Sequence, residues 1–169
     1  MKWDYEFDVV VVGSGNGALT SALCSHDGGA KTLVIEKSDK YGGTSATSGG
    51  GVWIPNNRYA KAENVDDSDQ DARDYINSVS PEGKIKAELI ETYISEGPKM
   101  IDYLHENSQV KYRNLAHYPD YFPDNPGGKE GNRSMEPEPI NGTQLGNDLG
   151  KLREQHPQTA FTMGPINMN

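Results

Sequence analysis

The stretch from Asp8 to Leu23 constrains the fold of this chain more than any other. A run of four valines, Val9 to Val12, enters a glycine turn at Gly13, and a small-residue stretch of helical composition follows. A β-branched run, a G-x-G turn and a helix in this order are typical of the start of a dinucleotide-binding fold. The sequence therefore predicts a first strand, a phosphate-binding turn and a first helix.

Each small residue of this turn has a physical role in such a fold. Gly13 can adopt the tight turn because it has no Cβ atom, and Gly15 allows a pyrophosphate to approach the backbone closely. The helix that follows offers free N–H groups and a partial positive charge at its N-terminus. Ala18 stands at the third position of the motif, where alanine is an accepted replacement for glycine.

A second apolar run, 31–36, follows the Gly28-Gly29 pair and ends in a carboxylate at Glu36. An acidic residue about 20 positions after the glycine turn is placed to accept hydrogen bonds from a ribose hydroxyl. The alternative is an ordinary β-α-β unit with glycines in its loop and Glu36 at a solvated strand end. The combined context favours dinucleotide binding.

Residues 42–51 form a second glycine-rich segment, in which the non-glycine residues are hydroxyl side chains and Ala46. Such a segment has many backbone N–H groups that can converge on an anion, and hydroxyls that can donate to it. A flexible linker is the alternative. Because Trp53 and Ile54-Pro55 follow at once, we favour a second loop that contacts the cofactor.

The composition predicts an α/β fold whose sheet is incomplete within the 169 residues. Apolar residues make up 34% of the chain, and both clear strand patterns lie before residue 37. A doubly wound sheet needs several such strands, and 110–115 is the one further candidate. We expect a Rossmann-like domain, with a parallel sheet, flanking helices and long loops, whose other strands lie beyond Asn169. The expected divisions are a β-α-β core at 1–55, a helical insertion at 56–109, and a short strand with an active-site loop at 110–169.

Charge and cysteine content narrow the class of protein. The net charge of −9 offers no basic stripe for nucleic acid. The single cysteine, Cys24, suits a reducing compartment, and within the first helix it is expected to be a buried small hydrophobe. The sequence contains no transmembrane stretch, its start is acidic rather than signal-like, and its histidines have no metal-ligand spacing, so we expect a cytoplasmic protein without a metal site.

The middle of the chain predicts three helices. The first covers 71–79 and is capped by Asp66 or Ser68. The second begins at Pro81 and runs to about Glu96, where Gly97-Pro98 breaks it before a third, at 99–106. The second helix is expected to bury one stripe, formed by Ile85, Leu89, Tyr93 and Ile94. A further short helix is expected around 148–155.

Residues 117–128 form a loop rich in proline and aromatic residues, which excludes a regular helix or a central strand. Prolines restrict the backbone, so this loop can hold its tyrosines in fixed positions. By composition alone we would expect the aromatic residues to anchor the loop to the body of the protein.

Together these motifs resemble one enzyme family, the 3-ketosteroid 1-dehydrogenases, within the wider fumarate reductase/succinate dehydrogenase flavoprotein group. The glycine turn is shared by many flavoproteins, whereas the later motifs are more specific. The resemblance is carried by 9–20, Glu36-Lys37, Tyr41-Gly-Gly-Thr-Ser45, Ser48-Gly-Gly-Gly-Val-Trp-Ile-Pro55, Glu96-Gly-Pro-Lys-Met100, Tyr118-Pro-Asp-Tyr121 and Pro126-Gly-Gly128.

The resemblance implies FAD as the cofactor and hydrogen removal from C1 and C2 of the A ring of a 3-keto-steroid. A hydride would pass to flavin N5 and a proton to a tyrosine base that lies downstream of this sequence, and an external electron acceptor would reoxidise the flavin. Tyr121 would assist that base and line the steroid pocket, with Tyr118 as the reserve candidate. The implied cofactor-binding residues are Gly13, Ser14, Gly15, Asn16, Gly17, Ala18, Glu36, Lys37, Gly43, Thr44, Ser45, Ser48, Gly49, Gly50 and Gly51.

Three alternatives remain open at this point. Two keep the fold, namely a steroid 4-dehydrogenase and a fumarate-reductase-like enzyme. Tyr121 argues against the fumarate-reductase type, because such enzymes use arginine and histidine to act on a dicarboxylate. The third is a non-catalytic FAD-binding fragment that needs a partner chain.

Overall fold

The computed structural model of the chain describes residues 2–154. Within them, the chain divides into two compact units, residues 2–50 with 140–154 and residues 51–139. None of the helices in the described residues has both the length and the apolar character that crossing a bilayer requires.

The first unit contains the predicted β-α-β arrangement. Strand β1 (Val9–Val12) is followed by helix α1 (Asn16–Asp27) and strand β2 (Thr32–Ile35). The two strands pair in parallel, from Val9 opposite Thr32 to Val12 opposite Ile35. Parallel neighbours need a crossover connection, which α1 supplies. This confirms the predicted fold class.

The end of the first unit lies beside the glycine-rich segment. A 3-10 helix at Gly142–Lys151 is kinked at Gly146, and Leu152 then forms a parallel bridge with Tyr41. The helix expected around 148–155 therefore begins earlier and is of the 3-10 type, and its predicted last residue lies outside the described residues. A short 3-10 turn also occurs at Ser45–Thr47.

The prediction that Cys24 is buried is wrong. Cys24 is exposed, and α1 has no buried residue. The helix packs on a sheet of two strands, which is too narrow to cover one of its faces. Val12 of the same sheet is 78% exposed for the same reason.

The second unit is built on an antiparallel sheet. Strands β3 (Val52–Trp53), β4 (Tyr112–Asn114) and β5 (Ser134–Pro137) lie in the order β3-β5-β4. The predicted strand at 110–115 is confirmed as β4, but it belongs to this antiparallel sheet rather than to the parallel one. Ile54, Ile101 and Met135 form a buried core cluster here.

Three helices complete the second unit. Helix α2 (Arg58–Ala62) follows β3, helix α3 (Asp69–Val79) lies next, and helix α4 (Ala87–Asn107) is the longest. Ser68 caps α3 as predicted, since its Oγ atom accepts a hydrogen bond from the Asp71 N–H. Pro81 does not open a helix, because Gly83 adopts a left-handed conformation with φ of +66° and α4 begins only at Ala87.

The predicted break at Gly97-Pro98 is wrong, because α4 runs through both residues. Proline disfavours a helical residue before it through contact with that residue's Cβ atom, which glycine lacks. Gly97 is also buried against Ile54, whose side chain would lie 3.3 Å from a Cβ atom at this position. Burial on both sides of the proline thus outweighs the loss of one backbone hydrogen bond.

The buried stripe of α4 also differs from the prediction. Of the expected residues, Ile94 is buried, whereas Leu89 is 60% exposed and Ile85 and Tyr93 are also exposed. The observed stripe is rotated around the helix and continues beyond the proline. It consists of Ile90, Ile94, Gly97, Ile101 and Leu104.

Candidate cofactor and substrate sites

The β1–α1 turn has the geometry of an anion-binding loop. Gly13 has φ of +96°, a left-handed conformation that favours glycine, and its N–H donates to the Ile35 carbonyl at 2.7 Å. Gly15 is the N-cap residue of α1, without a side-chain cap of its own. The first N–H groups of α1 therefore point out of the helix, where they can bind a phosphate.

The second glycine-rich segment lies against this helix end. The Ser45 Oγ atom accepts a hydrogen bond of 3.0 Å from the Asn16 N–H. A Cβ atom at Gly15 would lie 3.3 Å from that Oγ, and a Cβ atom at Gly43 would lie 3.6 Å from the Gly15 Cα. Both glycines thus allow a close approach that a side chain would crowd. The two predicted loops form one cradle of hydroxyl and N–H groups.

Ser14 connects the glycine turn to the carboxylate at the end of β2. Its buried hydroxyl donates to Oε2 of Glu36 at 2.6 Å and accepts from the Gly42 N–H at 2.9 Å. The Ser38 N–H donates to Oε1 of Glu36 at 3.0 Å. The bond from Ser14 and then the bond from Ser38 lower the pKa of Glu36, so its carboxylate stays ionised as an acceptor.

The other predicted cofactor residues occupy neighbouring positions. Gly17 and Ala18 lie in the first turn of α1, Thr44 precedes the 3-10 turn, and Lys37 is exposed after Glu36. The Ser48 hydroxyl accepts a hydrogen bond of 3.1 Å from the Gly50 N–H, and Gly49 lies in the turn between them. Gly51 belongs to the second unit, where it lines a cavity.

The first unit therefore fits a dinucleotide cofactor. A helix N-terminus and the Ser45 hydroxyl offer donors for a pyrophosphate, and the Glu36 carboxylate offers acceptors for a ribose. The close packing of Gly15 and Gly43 leaves backbone rather than side chains at the phosphate position.

The second unit contains a cavity of about 380 Å³ with a largely aromatic wall. Aromatic side chains present large, rigid apolar faces to a ligand. The wall brings together the end of the glycine-rich segment, helix α3 and the loop at 117–128. Its aromatic members are Trp53, Tyr75, Tyr118, Tyr121 and Phe122, and Asp120 lies between Tyr118 and Tyr121 in the chain.

Tyr118 and Tyr121 both line this wall, but they differ in exposure to solvent. Tyr121 is 83% exposed, whereas Tyr118 is half-buried. The charge of an ionised Tyr121 and a hydrogen bond between the two side chains raise the pKa of Tyr118. The two side chains therefore interact beside the cavity.

Residues that the sequence analysis did not assign fix this wall in place. The Trp53 ring lies 5.8 Å from the Tyr75 ring and 6.3 Å from the Tyr93 ring, between centroids. Its Nε1 atom donates to Oδ1 of Asp120 at 2.6 Å. Trp53 and Asp120 belong to the Trp-Ile-Pro and Pro-Asp-Tyr motifs, so the sequence could have indicated that they take part in the site.

Arg133 has no such signal in the sequence. It is 1% exposed and bonds to Asp67 and Asp120, which lie 66 and 13 positions before it in the chain. Among the described residues, no group of three histidine, cysteine, aspartate or glutamate side chains is arranged to hold a metal ion.

Comparison with known proteins agrees with this geometry. A family model described as "FAD binding domain" matches residues 8–167. The chain is 41% identical to a 3-oxosteroid 1-dehydrogenase of Mycolicibacterium smegmatis over 94% of its length. It is 38% identical, over 93% of its length, to a 4-oxocyclohexanecarboxylate 2-dehydrogenase of Sinomonas cyclohexanicum.

A solved structure shares the fold as well. The 3-ketosteroid Δ1-dehydrogenase of Sterolibacterium denitrificans, in complex with 1,4-androstadiene-3,17-dione, superposes with a TM-score of 0.84 at 41% identity. The match covers 89% of this chain and 26% of that one. The chain likewise spans 28% of the length of the M. smegmatis relative and 27% of the S. cyclohexanicum relative.

Proposed function

Because this chain belongs to the FAD-binding domain family, we propose that it is the N-terminal part of a longer FAD-dependent 3-oxosteroid 1-dehydrogenase. The complete enzyme removes hydrogens from C1 and C2 of the A ring of a 3-oxosteroid. The observation that carries the proposal is the aromatic cavity, in which the Trp-Ile-Pro and Pro-Asp-Tyr motifs meet. Relatives of about 40% identity support the steroid as substrate.

In this proposal the first unit holds the cofactor. FAD, when bound, supplies the flavin that accepts the hydride. The N–H groups at the start of α1 and the Ser45 hydroxyl hold the pyrophosphate, while the Glu36 carboxylate, kept ionised by Ser14, accepts from the adenosine ribose. The remaining predicted glycine and hydroxyl positions, through Gly51, continue along the cofactor.

The second unit supplies part of the substrate site. Tyr121 lies at the cavity with its hydroxyl free of burial, so it can donate to or accept from a neighbouring phenol. We assign it to assist the tyrosine base that takes the C2 proton, a base supplied by the sequence that the longer enzyme adds. Tyr118 is the reserve for that role, because it lines the same cavity.

The cavity wall favours an uncharged ketone over a carboxylate. The S. cyclohexanicum relative is named for 4-oxocyclohexanecarboxylate, an anion. Among the described residues, the wall is aromatic and aliphatic, its one carboxylate is Asp120, and no lysine or arginine side chain lines it. Burying a ligand carboxylate there without a cation would be costly. The same argument disfavours the dicarboxylate of a fumarate-reductase-like enzyme.

The proposal includes three further parts. The substrate domain lies in the additional length of the complete enzyme, outside the divisions at 1–55, 56–109 and 110–169. An external electron acceptor reoxidises the cofactor. The enzyme acts in the cytoplasm, which the single cysteine favours.

A substrate panel tests the proposal. The complete enzyme is incubated with an artificial electron acceptor and either a 3-oxosteroid or 4-oxocyclohexanecarboxylate. In a separate assay it is given fumarate together with the reduced form of that acceptor as electron donor. We expect oxidation of the steroid alone. An enzyme that binds FAD yet prefers the carboxylate would overturn the substrate assignment.

A cofactor variant tests the assignment of the first unit. Gly15→Val in the complete enzyme places a branched side chain against Ser45, and we expect flavin absorbance to be lost on gel filtration. Gly150→Val is the matched control in the same unit, because a side chain there meets open space. Full flavin content in the Gly15 variant would contradict the assignment. If the 169-residue chain binds FAD without the rest of the enzyme, it needs no partner chain to hold the cofactor.

A further inference from the structure

Arg133 is a buried cation between two buried carboxylates. Its Nη1 atom donates to Oδ2 of Asp120 at 2.9 Å, and its Nη2 atom donates to Oδ1 of Asp67 at 2.6 Å. The side chains of all three residues are at most 3% exposed. Because apolar residues often replace such a network without loss of stability, stability alone is a weak reason for it. The network therefore calls for a positional role.

The guanidinium also packs on the aromatic wall of the cavity. Its central carbon lies 5.4 Å from the Trp53 ring centroid and 5.8 Å from the Tyr75 ring centroid. A planar guanidinium can bridge two carboxylates and stack on rings at once, which a lysine ammonium cannot do. Arg133 thus touches the cavity wall from behind, without lining the cavity itself.

Asp120 transmits this arrangement to the loop. Its Oδ1 atom accepts from Trp53 Nε1 at 2.6 Å, and its Oδ2 atom accepts from Arg133 and from the Lys129 N–H at 3.0 Å. Its own N–H donates to the Lys129 carbonyl at 2.9 Å. These hydrogen bonds fix both the side chain and the backbone of Asp120, which directly precedes Tyr121.

The other side of Tyr121 is held by the same cluster. The Phe122 N–H donates to the Tyr75 hydroxyl at 3.3 Å, and Tyr75 is one of the rings against which Arg133 packs. The exposed Tyr121 therefore lies between two backbone anchors, and Arg133 contacts both anchoring side chains. The fixed point is the backbone, while the Tyr121 ring itself is exposed.

We propose that Arg133 is a positioning residue of the dehydrogenase: through Asp120 and Tyr75 it fixes the backbone on both sides of Tyr121, and Asp67 fixes Arg133. The inference rests on the proposed function for the use of Tyr121, but the fixing of the loop does not depend on it. Arg133 itself does not line the cavity.

A kinetic double-mutant cycle tests the link to Tyr121 in the complete enzyme. Arg133→Lys keeps the charge but cannot make the same bridge, and we expect kcat to fall roughly 10- to 100-fold, with FAD retained. In a Tyr121→Phe background, the same change should cost little further, because the hydroxyl to be positioned is absent. Full multiplication of the two losses would overturn the positioning role.

An NMR measurement on the complete enzyme decides the structural part without activity. In Arg133→Lys we expect the Trp53 indole N–H to exchange faster with solvent and residues 118–122 to lose order. Asp67→Asn is a milder second variant, expected to give the same changes to a smaller extent. An unchanged indole signal and unchanged order in both variants would overturn the proposal.

Arg113→Lys is the matched control for both measurements. Arg113 also pairs with a buried carboxylate, since its Nε atom donates to Oε1 of Glu136 at 2.9 Å, but this pair joins β4 to β5 and does not involve Asp67 or Asp120. We expect this variant to leave the loop signals and kcat unchanged. A wild-type enzyme that oxidises no 3-oxosteroid would overturn the proposed function, and the NMR result would still decide whether Arg133 holds the loop.

Discussion

The Trp53 indole N–H donates a hydrogen bond of 2.6 Å to the Asp120 carboxylate, and so joins two motifs that lie 67 positions apart in the chain. One motif ends the glycine-rich segment and the other carries Tyr121. Their direct contact places both in the wall of one cavity. A change at either residue should therefore affect the second unit as a whole.

Trp53→Phe keeps an aromatic ring but removes the donor to Asp120. We expect the free energy of unfolding in urea to fall by about 1.5–3 kcal/mol, the range for a hydrogen bond to a charged group. Trp3→Phe is the control, because Trp3 is 74% exposed. Equal stability of the two variants would mean that the indole–carboxylate bond contributes nothing.

Gly127→Ala should destabilise the second unit more than Gly83→Ala. Both glycines have positive φ, +73° and +66°, so an alanine at either position costs about 1–2 kcal/mol of strain. A Cβ atom at Gly83 meets open space, whereas one at Gly127 would overlap the Asp71 carbonyl oxygen on α3. We expect roughly 1–3 kcal/mol of additional loss for Gly127→Ala. Thermal unfolding of the two variants side by side measures the difference, and equal losses would contradict the close contact of the loop with α3.

Ser14→Ala should raise the pKa of Glu36 towards the ordinary value of about 4.3. The hydrogen bond from Ser14 lowers the pKa in the folded state, so it stabilises the fold above the ordinary pKa. That contribution is lost as pH falls through the folded-state pKa. The variant should therefore be less stable than the wild type at pH 7, with the gap closing below about pH 4.

Carbon-13 NMR titration of the Glu36 carboxyl measures this shift directly. Ser21→Ala is the control, since the Ser21 hydroxyl donates to the Gly17 carbonyl and not to a carboxylate. A Glu36 titration that is the same in both variants would contradict the role of Ser14.

Tyr121→Phe in the complete enzyme should lower kcat on a 3-oxosteroid by about 100-fold, the lower end for loss of acid–base assistance. FAD content should not change, because the substitution lies in the second unit. Tyr5→Phe is a control of matched exposure, 81% against 83%. Wild-type turnover in the Tyr121 variant would mean that the aromatic residues of this loop only anchor it to the protein. A large loss of turnover in Tyr118→Phe would then show that Tyr118 has the assisting role instead.

The parts that the sequence predicted are those encoded locally. The valine run and Gly13 predicted the β-α-β unit and its parallel pairing, because turn, strand and helix signals lie within 30 residues. Ser68 was found in the same way, as a cap next to its helix. FAD as cofactor is confirmed by the family match.

The parts that the sequence did not predict depend on contacts between distant residues. Pro98 is a local signal for a helix end, and the burial of Gly97 against Ile54 overrides it. Cys24 was expected inside because a free cysteine in a helix usually behaves as a buried small hydrophobe, whereas here α1 packs on two strands and Cys24 is exposed. Arg133 could not be found at all, since its partners Asp67 and Asp120 become neighbours only in the fold.

The position of hydrogen removal tests the central claim most directly. The complete enzyme is given a 3-oxosteroid that carries deuterium at C1 and C2, with an artificial electron acceptor, and the product is examined by mass spectrometry and NMR. The proposed function predicts loss of one label from C1 and one from C2, with a double bond between them. Hydrogen loss from C4 and C5, with the C1 and C2 labels intact, would contradict it and identify a steroid 4-dehydrogenase instead.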